Sequence, residues 1–202
     1  MSVAQPLRDR RAERYAATRR EILDAAWELV RVGGLASLAM RDLGARVGMR
    51  AQSIYVYFTS KDAIYDAMFA ESNVELLNRV TAIPATNDPV HRVRLISRVF
   101  LDFAVEDPVR YQLLFQRSIP KFEPSQEAFA PALRILDIGR TAMRDCGISS
   151  DRAFDTWTAL TAGLAAQQNS NQPGGDRWVR LADDVADMYF AHHRPATGRR
   201  TP

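Results

Sequence analysis

Residues Ala39 to Lys61, AMRDLGARVGMRAQSIYVYFTSK, read as two short helical units joined by a tight turn at Gly48. In the first unit Met40, Leu43 and Val47 recur at helical spacing and form a short apolar stripe. Glycine reaches left-handed backbone angles without steric cost, so Gly48 suits a sharp exit from one helix into the next. In the second unit Ile54 and Phe58 sit four apart as the buried pair. Arg50, Ala51, Gln52, Ser53, Tyr55 and Tyr57 are left for the other faces. Such a pair of helices is a helix-turn-helix, whose second helix can enter the major groove of DNA.

The order of residues resembles the DNA-binding domain of the TetR family of transcriptional repressors. The resemblance rests on the run MRDLGxxVG at Met40 to Gly48, SIYxYF at Ser53 to Phe58, and SKDAI at Ser60 to Ile64, preceded by an amphipathic helix that ends at Gly33 and Gly34. It covers about the first third of the chain. It implies an all-α fold, with an N-terminal three-helix helix-turn-helix DNA-binding domain over residues 1–62 and a linking fourth helix at about 60–80. A C-terminal helical ligand-binding and dimerisation domain would follow over residues 81–202.

Composition agrees with that class. Of 202 residues, 47% are hydrophobic, enough for a sizeable core. No apolar run reaches membrane-spanning length, and MSVAQPLRDRRAERYAATRR lacks the apolar segment of a signal peptide, so a cytoplasmic protein is expected. Cys146 is the only cysteine, which excludes an internal disulfide and a multi-cysteine zinc site; it reads as a small buried or half-buried thiol. The net charge is +3, but residues 1–62 carry eleven basic against seven acidic side chains, so the basic excess lies with the motif. Arg8, Arg10, Arg11, Arg14, Arg19 and Arg20 crowd the first twenty residues, as a phosphate-neutralising arm or as a solvated tail.

The periodicity predicts a first helix from near Asp9 to Val32, with Ile22, Ala25, Ala26, Leu29 and Val30 on its inner face and Trp27 off that stripe. Ser60 is the expected N-cap of the fourth helix, which should end near Val80 before the loop TAIPATNDP. Five further helices are expected, over 89–106, 109–117, 125–146, 151–168 and 176–192. In the first of these, Arg94, Arg98, Asp102 and Glu106 are four apart and read as a solvated edge.

The family resemblance implies that the helix from Arg50 to Tyr57 lies in the major groove, with Arg50, Gln52 and Ser53 as base readers and Ala51 able to touch only a thymine methyl. Arg41 matches a position that can also reach the groove; otherwise it pairs with an acidic neighbour. Tyr55 and Tyr57 match positions that contact the sugar-phosphate backbone, although either can serve instead as a core residue. Lys61 matches a phosphate-binding lysine. Where many relatives carry a Ser or Thr that caps the second helix, this chain has Ala39, with Ser37 two residues away.

The resemblance further implies a homodimer that binds a double-stranded, palindromic DNA operator, and a small-molecule effector that releases it. Trp157, Leu160 and Leu164 on one late helix, with Trp178, Leu181, Val185 and Met188 on the last, are apolar stripes suited to a four-helix dimer contact or to completing the monomer core. Phe100, Phe103, Tyr111, Phe115, Met143 and Trp157 are the candidate pocket residues, chosen because aromatic and flexible apolar side chains line such cavities; they favour an apolar or aromatic effector. No serine elbow, phosphate-cradling loop or HExxH pattern appears, so neither enzyme activity nor a cofactor or metal is expected. The rival reading is a helical ligand-binding or protein-interaction module of the same fold with no operator.

Overall fold

Helix α1 spans Arg10–Gly33 in the computed structural model, which describes residues 10–193. The expected start of that helix at Asp9, and Arg8 of the basic arm, lie outside the described residues. Every regular element among the described residues is helical. A 3-10 turn at Leu35–Ser37 leads into α2 (Met40–Arg46), α3 (Ala51–Ile54) and α4 (Lys61–Thr81). Helices α5 (Pro89–Glu106), α6 (Pro108–Phe115), α7 (Gln126–Asp145), α8 (Asp151–Asn171) and α9 (Ala182–His193) follow, with a 3-10 turn at Val179–Leu181 opening the last of them.

Local chemistry sets most of these boundaries. Helices α4 to α8 each begin on a side-chain cap: Ser60, Asp88, Asp107, Ser125 and Ser150 accept from the backbone N–H groups of Ala63, His91, Arg110, Ala128 and Ala153. Each cap is worth about 0.5–2 kcal/mol. Pro89 and Pro108 open α5 and α6, where the missing donor costs nothing. The last expected helix is shorter than the sequence pattern indicates, because Val179–Leu181 forms a 3-10 turn instead, with Leu181 N donating to Trp178 O at 3.1 Å.

Trp27, which the α1 stripe leaves unplaced, is buried at 2% exposure. Arg31 and Arg110 lie over its ring at 5.4 and 5.5 Å, so the buried face of α1 is wider than the helical stripe alone. The core beneath the helix-turn-helix includes Ile22, Ala26, Val30, Leu43, Ile54, Phe58 and Met68, and it also takes in Leu113 of α6 and Ala128 of α7. The two halves of the chain therefore share one continuous apolar contact along α4. The edge expected on α5 is paired outward: Arg94 bonds Asp183 and Asp187 of α9, Arg98 bonds Asp183, and Glu106 bonds Arg79 of α4. The Arg79 guanidinium lowers the Glu106 pKa, chiefly through that hydrogen bond.

Candidate nucleic-acid interface and ligand cavity

Two glycines shape the joint between α2 and α3. Gly48 sits at φ 67° with open space around it, so it supplies a left-handed turn. Gly44 does something different: a Cβ there would lie 2.7 Å from Met49 O and 3.1 Å from Ala51 N, both backbone atoms. The missing side chain lets α2 press against the turn, where Met49 N donates to Gly44 O at 2.8 Å. Ala39 gives α2 no side-chain cap, and Ser37 does not replace it, because its hydroxyl donates to Gly34 O at 2.8 Å within the 3-10 turn. Arg46 instead ties α2 to α1 by bonding Glu28 through both Nε and Nη2.

The helical part of the second unit covers Ala51–Ile54 only, with Arg50 as its extended N-cap, rather than the whole of Arg50 to Tyr57. Ile54 and Phe58 are buried beneath it, while Arg50 and Gln52 are exposed and Ala51 and Ser53 half-buried. Tyr55 is 50% exposed. Tyr57 is half-buried, its ring stacked on Tyr15 of α1 at 5.0 Å, so its ring braces the arm side of the motif. Lys61 stands at the first position of α4 with Nζ 3.4 Å from Ala36 O. The Arg41 side chain is 91% exposed and meets Asp42 at 3.3 Å. From α1, Arg19 lies 4.2 Å from the centre of the Phe58 ring.

Behind this head, α4, α5, α7 and α8 enclose a cavity of about 400 Å³. Phe69, Asn73 and Leu76 of α4 form one wall, and Phe100, Phe115, Met143 and Trp157 of the sequence-named set also line it. Of its lining, Phe115 and Phe129 are 43% and 38% exposed. Phe103 and Tyr111 do not line it. Phe103 packs at 1% exposure with Leu76 and Val80 beneath the Arg79 and Arg110 guanidiniums. Tyr111 is buried behind the wall among Leu101, Ala104 and Leu164, its hydroxyl donating to Ala162 O at 3.4 Å. Tyr111 nonetheless meets the lining residue Phe115 at 5.4 Å, and Phe103 packs with the lining residues Leu76 and Ile96, so both stand behind the wall rather than in it, a depth that composition does not disclose.

Two family models match the chain: the one for bacterial regulatory proteins of the tetR family, over residues 22–68, and the one for the tetracyclin repressor-like C-terminal domain, over residues 93–189. The chain belongs to the TetR family. An HTH-type transcriptional regulator of Mycobacterium tuberculosis is 25% identical over 173 residues, covering 83% of this chain. The chain spans 58% of the length of the curated relatives it matches. Among solved structures, the transcriptional regulator FadR from Bacillus subtilis in complex with stearoyl-CoA superimposes with a TM-score of 0.66 at 18% identity, over 85% of this chain and 97% of that one. AibR in complex with isovaleryl coenzyme A and operator DNA gives 0.62 at 19% identity, over 85% and 97%. At those identities the likeness is one of fold.

In this TetR-family chain, the late helices divide into core and surface. Leu164 is buried with Leu101 and Ala165 inside the chain, Trp157 is buried against Tyr189 and Phe190, and Trp178, Leu181 and Val185 are half-buried. Leu160 of α8 and Met188 of α9 are 38% and 66% exposed, and Gly163, three residues after Leu160 on α8, has open space where a Cβ would stand. Three pairings between helices escape the sequence pattern. Asp107, the cap of α6, accepts from Arg31 of α1 at 2.7 Å, and Arg110 bonds Glu75 of α4 at 2.6 Å. Asp66 of α4 accepts from the Ser125 backbone N–H at 2.7 Å and hydroxyl at 2.8 Å, holding the start of α7. Nothing in one-dimensional spacing pairs residues 59 or 76 positions apart.

No helix among the described residues is long and apolar enough to cross a membrane. Cys146 is half-buried, and burial with Asp145 and Asp88 nearby pushes its thiol up to about 11, which makes it a poor nucleophile at neutral pH.

Proposed function

We propose that the chain is a ligand-responsive transcriptional regulator that binds a palindromic operator as a homodimer and is released when an apolar or aromatic effector fills the cavity. The observation that carries this reading is the presentation of α3: Arg50 and Gln52 stand exposed at its start, above a buried Ile54 and Phe58, on a joint tightened by Gly44. Arg pairs bidentately with guanine and Gln with adenine, whereas the exposed Tyr55 and Arg41 and the half-buried Lys61 have the chemistry for phosphate. AibR was crystallised with operator DNA and an acyl-coenzyme A, and FadR with another, which favours an effector in the corresponding space here. Leu160, Gly163 and Met188 supply an exposed apolar and small-residue face for a second copy, so that two heads read two half-sites.

Both the cavity and the head touch α4, so an effector that moves Phe69 or Asn73 also moves Lys61. A preference of about 1–3 kcal/mol for the DNA-incompetent arrangement weakens operator binding roughly five- to 150-fold, and DNA weakens effector binding by the same factor.

The test is binding of the purified protein to DNA selected from a random pool, across a salt series. Gln52→Ala should lose about 1–3 kcal/mol of discrimination at one base position of each half-site. Lys61→Ala should weaken all DNA alike and reduce the salt slope by about 1. If selection enriches no motif, the regulator reading fails and a ligand-binding module without an operator takes its place.

A further inference from the structure

The polar groups facing the cavity specify more than its apolar walls do. Among the described residues its lining holds no Arg, Lys, His, Asp or Glu; its polar side chains are Asn73, Ser97, Thr158 and Thr161. The three hydroxyl protons are already committed. Ser97 donates to Val93 O at 3.0 Å while accepting from Trp157 Nε1 at 3.1 Å. Thr158 donates to Asp155 O at 2.9 Å, and Thr161 to Trp157 O at 3.1 Å. Asn73 is 2% exposed, and its Nδ2 donates to Phe69 O at 3.0 Å, which fixes the amide orientation and leaves Oδ1 without a protein partner. That oxygen is not sealed in the core, and a donor arriving through the cavity can pair with it. What remains on offer is a set of acceptor oxygens and one spare Asn73 N–H.

Resting on the reading of this cavity as the effector site, we infer that it selects an uncharged apolar or aromatic molecule bearing a hydroxyl group, whose O–H donates to Asn73 Oδ1. An ether or ketone of the same shape leaves that oxygen unpaired. A carboxylate meets acceptor oxygens with no cation to compensate, the least favourable case in a site shielded from water. Asn73 belongs to α4, so the hydroxyl is held by the helix that begins at Lys61 in the reading head, and the polar end of the ligand is the end that reports to DNA.

The probes are para-hexylphenol, its methyl ether and para-hexylbenzoate, titrated calorimetrically into the full-length protein. The phenol is expected to bind roughly tenfold more tightly than the ether, the value of one buried hydrogen bond, and the benzoate more weakly than either. In Asn73→Leu, of similar shape, the phenol should fall to the affinity of the ether while the ether itself holds, which also reports that the cavity is intact. Asn73→Ala is the second variant, with the same loss of preference expected. The inference is overturned if ether or benzoate matches the phenol, if the tenfold preference survives both variants, or if none of the probes binds. Selection of an operator by the same preparation keeps those outcomes separate from failure of the regulator reading.

Discussion

Gly44→Ala is expected to damage DNA recognition more than any change at the turn glycine itself. The added Cβ would stand 2.7 Å from Met49 O, where ordinary contact begins at 3.4 Å, and both this oxygen and Ala51 N belong to backbone that cannot rotate away. Relief requires α2 and the start of α3 to separate by about 0.7 Å, which exceeds the roughly 0.5 Å within which a recognition constellation must be held. Overpacking of this kind costs about 1–3 kcal/mol. At about 2–4 °C per kcal/mol for a chain of this size, the melting temperature should fall by about 2–12 °C. The larger effect is expected at Arg50 and Gln52, whose proposed bidentate contacts would each be worth about 1–3 kcal/mol of base discrimination. The ratio of specific to non-specific affinity should drop at least tenfold, while the salt-dependent non-specific term stays close to wild type. Gly48→Asn is the control: nothing crowds Gly48, and Asn tolerates its φ of 67°. Thermal melts and competition binding measure both quantities. If Gly44→Ala melted within 1 °C of wild type and kept its specificity ratio, the close approach would not be what aims the reader helix.

Asp107→Ala removes the α6 cap and the Arg31 pair together and is expected to destabilise the protein by about 2 kcal/mol or more in urea unfolding. Arg31→Met should cost roughly 1 kcal/mol or less, because Arg31 is itself 46% exposed. Leu160→Glu and Met188→Glu should convert a dimer to a monomer in sedimentation velocity with little change in monomer stability, whereas Leu164→Ala should destabilise the chain by about 2–5 kcal/mol. Burial raises the Tyr65 hydroxyl from 10.0 to about 12. The folded state then holds a proton that the unfolded state releases, so Tyr65's contribution is intact below pH 10 and is lost as pH rises from 10 to 12. Urea midpoints should fall across that window, and Tyr65→Phe should flatten the fall at the expense of its 2.5 Å bond to Leu35 O.

The all-helical architecture was readable because amphipathic stripes and N-cap residues are local signals: Pro89–Glu106 appears with its expected bounds, and Ser60 caps α4 as the sequence pattern indicates. What failed to show was direction and distance. Trp27 lies off the α1 stripe yet is buried, because two arginines, one of them from α6, cover it. The turn pattern in the sequence points to Gly48, although the glycine with no room for a side chain is Gly44, inside α2, where only the approach of a second helix explains it. Phe103 and Tyr111 share the aromatic character of Phe100 and Phe115 but stand behind the lining rather than in it. Asn73 is not marked by the sequence, since a polar residue in the middle of an amphipathic helix carries no label until a cavity forms around it.

The central claim is that two copies of the α3 reader act together on DNA. Hydroxyl-radical footprinting of the purified protein on its selected sequence tests this most directly. Two protected half-sites related by a two-fold axis, with centres one helical turn or a multiple of it apart, are the expected result; Leu160→Glu should abolish the pair at concentrations where wild type protects both. A single asymmetric footprint, or a symmetric one unaffected by Leu160→Glu, would contradict it.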